Sequence, residues 1–302
     1  MAFKSGFITI IGRPNVGKST LLNLLTGEKI AIISHKPQTT RHNIRTILTT
    51  ENYQMIFVDT PGIHKPKNKL GQFMMNETFS AFEDVDVIVY IVEAKDKTIG
   101  PNDRRIIEEL GKTRTPVILL INKIDLVEKE RLLPLIEEYS KAYAFKEIIP
   151  VSAIDGSFRE DILAVIEKYL PEGEKFYPDD MLTDQTEKVL AQELIREKLL
   201  NLLEEEVPHG IGVEVIRFKE DEERNIIDID ANIYCEKASH KGIVIGKGGA
   251  MLKKVGTFAR QDMEGLYGCK VNLKLWVKVK EDWRNSDFVL GELGYKSNKK
   301  RI

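Results

Sequence analysis

The chain has 302 residues, 42% hydrophobic and 30% charged, with a net charge of −2. That balance excludes a disordered or disulfide-framework protein and leaves room for two domains of about 100–200 residues each. The two cysteines, Cys235 and Cys269, sit in apolar runs without metal-ligand spacing, so they read as buried thiols of a reducing compartment.

A short apolar strand at Phe7–Ile11 opens the chain and meets a charged turn too soon for a secretory leader. Similar bursts recur at QMIFVDT, VDVIVYIVE, PVILLINKID and EIIPVSA, separated by helical-period stretches such as NDRRIIEELGK and RLLPLIEEYSKAY. Near-continuous apolar strands alternating with helices predict a parallel sheet covered on both faces. Glycine, proline and acids in EGEKFYPDD break the pattern, so a first domain over 1–177 and a second over 178–302 are expected. The second reads differently: a long helix from about Thr183 to Glu206, strands around Val213–Phe218 and Ile226–Tyr234, a glycine turn between two helices, a strand CKVNLKLWVKVK, and a last helix near Ser286–Leu293. No stretch approaches the ~20 apolar residues of a membrane span.

Between the first strand and the helix STLLNLLTG lies GRPNVGKST, Gly12 to Thr20. The pattern G-x-x-x-x-G-K-S/T in a strand–turn–helix setting is a phosphate loop, with backbone N–H groups of Asn15, Val16, Gly17 and Thr20 available to phosphate oxygens. Lys18 neutralises the outer phosphates, and the Ser19 hydroxyl can hold magnesium. NKID, Asn122 to Asp125, follows an apolar strand, where the Asp125 carboxylate can accept both ring N–H donors of guanine and Lys123 lies alongside. Ser152 and Ala153, after the next strand, are placed to support the base through a backbone N–H. With these motifs in order, the sequence resembles a translation-factor-class GTPase, which implies a doubly wound α/β P-loop domain and guanine specificity.

DTPG, Asp59 to Gly62, supplies an acid for magnesium and a glycine N–H able to sense the terminal phosphate. Upstream, KPQTTRHNIRT offers a threonine to close over the metal: Thr40 is preferred, with Thr39 the alternative. Lys18, Thr40 and Gly62 are thus the expected catalytic set, and Ser19, Thr40 and Asp59 the metal ligands. Ile63 stands where Ras-like GTPases carry a water-orienting glutamine, and an alkyl group cannot orient water. Slow unaided hydrolysis follows, with water held by backbone, a partner or a monovalent cation; Asn15 resembles the asparagine with which potassium-dependent members of this class hold K+.

Net charge is unevenly spread: Lys237–Ile302 holds 15 Lys and Arg against 6 acids, a local +9. Such a basic end suits an anionic partner. Within it, GKGG from Gly246 to Gly249 lacks both the spacer and the Ser/Thr of a nucleotide loop. Flanked by helices, it resembles the G-x-x-G turn of a KH domain of the bacterial type, which clamps about four nucleotides of single-stranded nucleic acid. Gly246, Lys247, Gly248, Gly249, Lys253 and Lys254 are the expected RNA contacts. In the strand after it, alternation assigns Val271, Leu273, Leu275, Val277 and Val279 to the core and Asn272, Lys274, Trp276, Lys278 and Lys280 to the other face. The five histidines, His35, His42, His64, His209 and His240, are scattered and read as non-catalytic.

A GTPase domain followed by a KH domain, over almost the whole chain, resembles the Era family of bacterial GTPases. The resemblance implies a monomer that uses GTP/GDP and Mg2+, binds small-subunit ribosomal RNA near its 3′ end and acts in assembly of that subunit. It implies a cytoplasmic protein and allows peripheral contact with the inner membrane. The alternative is a GTP-dependent, membrane-associated signalling protein whose C-terminal domain binds a protein or lipid surface.

Overall fold

The structure, a computed structural model, describes residues 2–28, 31–34, 36, 39–63, 65–82 and 84–295; His35 and His64 lie outside them. Two compact units divide the chain. The first comprises Met1–Ala31, Thr40–Lys65 and Met74–Asp184, and the second Ile32–Thr39, Pro66–Phe73 and Gln185–Ile302.

The first unit carries strands β1 (Lys4–Ile11), β2 (Ile44–Thr49), β3 (Tyr53–Asp59), β4 (Val87–Glu93), β5 (Val117–Asn122) and β6 (Glu147–Pro150) in the order β2-β3-β1-β4-β5-β6. Every pairing is parallel except β2 with β3. Helices α1 (Lys18–Thr26), α2 (Lys69–Ser80), α3 (Pro101–Leu110), α4 (Leu132–Ala142) and α5 (Arg159–Tyr169) lie between strands in sequence. Alternation along β4 shows why the strands read as unbroken apolar runs. Val87, Val89 and Ile91 join a cluster with Leu21, Leu22 and Leu25 of α1 and Ile162 and Ile166 of α5. Ile88, Tyr90 and Val92 join another with Ile106 and Leu110 of α3 and Leu135 of α4. Both faces of β4 are core, so its run from Val87 to Val92 carries no polar alternation. The sheet's carboxyl edge then gathers the loops after β1, β3, β5 and β6, the usual ligand side of such a sheet.

Residues 44–49, to which the sequence reading assigns no element, form β2, the antiparallel edge strand, with Ile44, Thr46 and Ile47 buried and Arg45 exposed. The change from one unit to the next also falls later than the break at 177/178, because residues 176–184 are bonded into the first unit. Gln54, fully buried on β3, accepts from the Phe176 and Tyr177 N–H groups at 2.7 and 3.0 Å. Thr183 donates to the Arg45 carbonyl at 2.6 Å, and Arg45 pairs with Asp184 at 2.8 Å.

The second unit carries α6 (Glu187–Leu202), β7 (Gly212–Asp221), β8 (Ile226–Cys235), α7 (Ala238–Ile245), α8 (Ala250–Tyr267), β9 (Lys270–Val279) and α9 (Asp287–Glu292). Its sheet runs β7-β8-β9, antiparallel and then parallel. Ala191, Leu194, Ile195 and Leu199 of α6 and Val255, Ala259 and Met263 of α8 close its core over Ile227, Ile229, Ala231 and Ile233 of β8. Helix α6 is shorter than the expected 183–206, since Thr186 and Leu203 both take extended backbone.

Candidate nucleotide and nucleic-acid sites

In the first unit the glycine loop joins β1 to α1. Asn15 bends it in a left-handed conformation, φ 68°, and Gly17 turns it into the helix at φ 107°. A Cβ on Gly17 would meet Asn122 Nδ2 at 2.3 Å, so only glycine fits. The loop is braced from outside. Asn122 donates to the Val16 carbonyl at 2.7 Å and accepts from the Ala153 N–H at 2.9 Å, tying three loops together. Lys123 donates to the Asn15 carbonyl at 2.7 Å and also bonds Glu93. Arg13 bonds Asp96 and approaches the buried Asp103 at 3.0 Å, and Asp103 in turn accepts from the Tyr90 hydroxyl at 2.8 Å. Arg13, Glu93, Asp96 and Asp103 carry no signal in the sequence, because the carboxylates come from the end of β4 and from the loop and helix after it, about 80 residues beyond Arg13.

Two contacts lie behind the base side of the loop. The Ala153 N–H donates to Asn122 Oδ1, because the amide of Asn122 is buried and needs both partners. The Ser152 hydroxyl donates to Asp125 Oδ1 at 2.6 Å and fixes the orientation of that carboxylate.

Ser19, Thr40 and Asp59 converge. Asp59 Oδ2 accepts from Ser19 Oγ at 3.0 Å and from Thr40 Oγ1 at 2.9 Å, and the two hydroxyls lie 3.3 Å apart. Thr39, by contrast, turns its hydroxyl back to the Lys36 carbonyl at 2.7 Å. Asp59 is 1% exposed, and its Oδ1 is a buried oxygen with no hydrogen-bond partner among the described residues. Burial pushes its carboxyl above the usual range, against the pull of Lys18, Thr40 and Ser19. A buried, half-satisfied carboxylate beside two hydroxyls is a hard-oxygen set that suits magnesium. Gly62 packs on the phosphate loop so closely that a Cβ would lie 2.8 Å from the Pro14 nitrogen. Ile63, 2% exposed, belongs to the core, and its N–H donates to the Gly12 carbonyl at 3.2 Å.

Lys18 donates to the Gly12 and Arg13 carbonyls at 3.3 and 3.0 Å. Burial lowers its pKa to about 8, although Asp59 pulls the other way. Phosphates recruit the ammonium form, so nucleotide binding takes up a proton wherever free Lys18 is neutral. GDP affinity is therefore expected to fall about tenfold between pH 7 and pH 9. Calorimetry in buffers of different ionisation enthalpy would show proton uptake near pH 9, and Lys18→Arg would flatten the slope. No uptake at pH 9 would mean that Lys18 stays charged in the empty loop.

In the second unit Gly246 (φ 74°), Gly248 (φ 59°) and Gly249 (φ 82°) make the turn between α7 and α8. A Cβ on Gly246 would meet the Met251 nitrogen at 2.9 Å, whereas Gly248 and Gly249 face open space. Beside the turn runs a groove of about 420 Å³ between α8 and β9. Leu252, Val271, Leu273 and Leu275 give it an apolar lining, and Lys253 and Arg260 add charge. Leu273 and Leu275, expected in the core, are half-buried there, and Val279 is exposed. The reason is α8: Gly256 and Thr257 are too small to cover the strand. The stripe 252, 253, 256, 257, 260 is legible in the sequence as one helix face. Lys247 and Lys253 are exposed, and Lys254 leans over the Phe258 ring at 6.0 Å, away from the groove lining. Among the described residues β9 pairs with β8 alone, which leaves a free strand edge. Trp276, 43% exposed, lies outside the groove lining. An apolar floor, a free strand edge and a glycine turn beside lysines can hold bases and backbone of a single strand.

Comparison with known proteins agrees in both units. The family model described as a 50S ribosome-binding GTPase matches residues 7–123, and the KH domain model matches residues 206–284. The GTPase Era of Ruminiclostridium cellulolyticum is 56% identical over 99% of this chain and 100% of its own. That of Caldanaerobacter subterraneus subsp. tengcongensis is 56% identical over the same shares. Among solved structures, Era in complex with MgGDPNP and nucleotides 1506–1542 of 16S ribosomal RNA superposes with a TM-score of 0.93 at 40% identity, over 98% of this chain and 100% of that one. An Aquifex aeolicus Era variant bound to GDP·AlF4− gives the same values. With relatives more than half identical from end to end, the chain belongs to the GTPase Era family.

Proposed function

We propose that this protein is a GTP-hydrolysing switch that binds single-stranded small-subunit ribosomal RNA near its 3′ end and acts in assembly of that subunit. One observation carries the reading: a guanine-directed carboxylate with a magnesium-type oxygen set, and a glycine-turn groove, occur in one chain that matches RNA-bound Era along its length. In this reading Gly17, Val16, Asn15 and Thr20 cradle the phosphates, Lys18 neutralises them, and Asp125, oriented by Ser152, selects guanine. Ser19, Thr40 and Asp59 would hold Mg2+, which when bound offsets charge on the phosphates. The Gly62 N–H senses the terminal phosphate, and Lys18, Thr40 and Gly62 form the catalytic set. Because Ile63 is core, water must be oriented by backbone, by a partner, or by K+ held near Asn15. Gly246, Lys247, Gly248, Gly249 and Lys253 are the RNA side, with Lys254 adding charge nearby.

Among the described residues no helix is long and apolar enough to cross a membrane. We place the protein in the cytoplasm, where its RNA is. The test is binding of the full chain to a 3′-end ribosomal oligonucleotide, a scrambled one and anionic vesicles, in GDP and in a non-hydrolysable GTP analogue. The native oligonucleotide is expected to bind at least about tenfold tighter with the analogue, since a ligand shifts a switch only by its differential affinity. Equal affinity in both states would remove the switch, and preference for vesicles would favour the signalling alternative.

A further inference from the structure

Arg13, the second residue of the phosphate loop, is gripped by two acids from separate places in the same unit. Its Nη2 bonds Asp96, in the loop after β4, and its Nε faces Asp103 Oδ2 on α3 at 3.0 Å. Asp103 is 1% exposed, and its other oxygen accepts from the Tyr90 hydroxyl of β4 at 2.8 Å. The guanidinium is a rigid plane, so contacts at both Nε and Nη2 fix its orientation and limit where the Arg13 Cα can stand. A helix dipole favours an acid in the first turn, which accounts for Asp103, but Asp96 lies outside any helix. Buried ion pairs contribute little to stability relative to apolar side chains of similar volume, so this convergence points to another use.

What Arg13 carries is one peptide plane. Its carbonyl oxygen accepts from Lys18 Nζ at 3.0 Å. On the nitrogen side of the same peptide, a Cβ on Gly62 would lie 2.8 Å from the Pro14 nitrogen and 2.9 Å from the Pro14 Cα. Peptide atoms from Cα to Cα are coplanar and turn as one body, so a shift at Arg13 moves the seats of Lys18 and Gly62 together. The carbonyl before it, that of Gly12, accepts from Lys18 and from the Ile63 N–H, which ties the residue after Gly62 to the same turn.

We propose that Arg13 is a positioning residue for the GTPase reaction: pinned by Asp96 and Asp103, its side chain sets the 13–14 peptide plane and so the spacing between the Lys18 ammonium and the Gly62 N–H around the terminal phosphate. This rests on the roles proposed above for Lys18 and Gly62. The guanidinium acts through its own backbone. GDP lacks the terminal phosphate, so the cost of losing the grip falls on turnover rather than on GDP binding.

The experiment compares kcat for GTP with GDP affinity in the full-length chain. Burial pushes the Asp103 carboxyl above the usual range, against the pull of Tyr90 and Arg13, so Arg13→Met alone would strand it and is paired with Asp103→Asn. In this double variant kcat is expected to fall about tenfold, the value of a charge-assisted hydrogen bond, with GDP affinity within about threefold of wild type. A role confined to stability would lower the melting temperature and leave kcat of the folded enzyme unchanged, which overturns the proposal. Asp96→Asn with Asp103→Asn keeps the Arg13 charge and loosens its grip, and kcat is expected to fall about fivefold, because neutral acceptors hold a guanidinium about half as strongly. If Arg13 acted by direct attraction on the phosphates, removing two nearby negative charges would raise GDP affinity and leave kcat undiminished, which also overturns it. Asp96→Ala cuts only the outer arm and carries the test if either pair fails to fold: a fall of about threefold in kcat supports the proposal, and no change sinks it. Lys18→Ala separates the two levels. If it abolishes turnover while the Arg13 and Asp variants leave kcat alone, Arg13 has no positioning role; if Lys18→Ala changes nothing, the role of Lys18 itself fails, and this inference with it.

Discussion

Replacing Gly248 by aspartate is expected to weaken RNA binding by more than about 100-fold, with GDP affinity within about twofold of wild type. Gly248 stands at φ 59°, in the left-handed region that aspartate and asparagine tolerate best after glycine. No atom lies within 4 Å of the Cβ it would gain, so the turn keeps its shape. Gly246 would be a poorer choice, because its Cβ would press on Met251 at 2.8 Å and disturb the start of α8. At Gly248 the change is confined to what approaches from outside, and a carboxylate there faces the phosphate that the turn is proposed to receive. Repulsion plus the lost backbone approach is worth roughly 3 kcal/mol. Gly248→Asn has nearly the same shape and no charge, and should cost only about fivefold. Titration of a labelled oligonucleotide at two salt concentrations checks both variants, since the aspartate effect shrinks as salt rises. If the two substitutions weaken binding equally, close approach rather than charge sets affinity; if neither does, the RNA backbone does not pass this turn.

How much is legible in the sequence depends on whether a residue's partner is local. Backbone geometry at Gly17, the lysine after it and the alternation of strands with helices follow from short-range pattern, and the structure has them where the pattern implies. Preference for Thr40 over Thr39 rests on its place before Arg41; in the structure the Thr40 hydroxyl meets Asp59 and that of Thr39 the Lys36 carbonyl. Pattern is silent on roles fixed by distant partners. Asn122 spends both amide groups on Val16 and Ala153, and the Ser152 hydroxyl holds Asp125. Strand β2 goes unassigned because its apolar run is short and Arg45 interrupts it, as an edge strand with one apolar face allows. The alternation rule puts Leu273 and Leu275 on the correct face of β9, yet it does not tell core from groove. That distinction depends on Gly256 and Thr257, which leave the strand uncovered.

Asp125→Asn is expected to exchange guanine for xanthine specificity, with GDP affinity falling at least about 1,000-fold and xanthosine diphosphate recovering most of it. A site built to hydrogen-bond a ring rejects an analogue that leaves its buried polar groups unpaired far more strongly than a pocket rejects a change in size. Guanine offers two donors, a ring N–H and an exocyclic amine, to a carboxylate that only accepts. Ser152 makes the outcome directional: its hydroxyl holds one oxygen of Asp125 at 2.6 Å. In the asparagine variant that hydroxyl keeps the amide oxygen, which turns the NH2 toward the base. Two donors then face each other at the guanine amine, whereas the oxygen that xanthine carries at the same position accepts. Adding Ser152→Ala to Asp125→Asn should erode the gain for xanthine, because the amide is then free to flip. Fluorescence titration with both nucleotides checks this. Equal loss of both nucleotides in Asp125→Asn would show that Asp125 does not face the base, and would remove the guanine assignment on which the GTPase reading of this site depends.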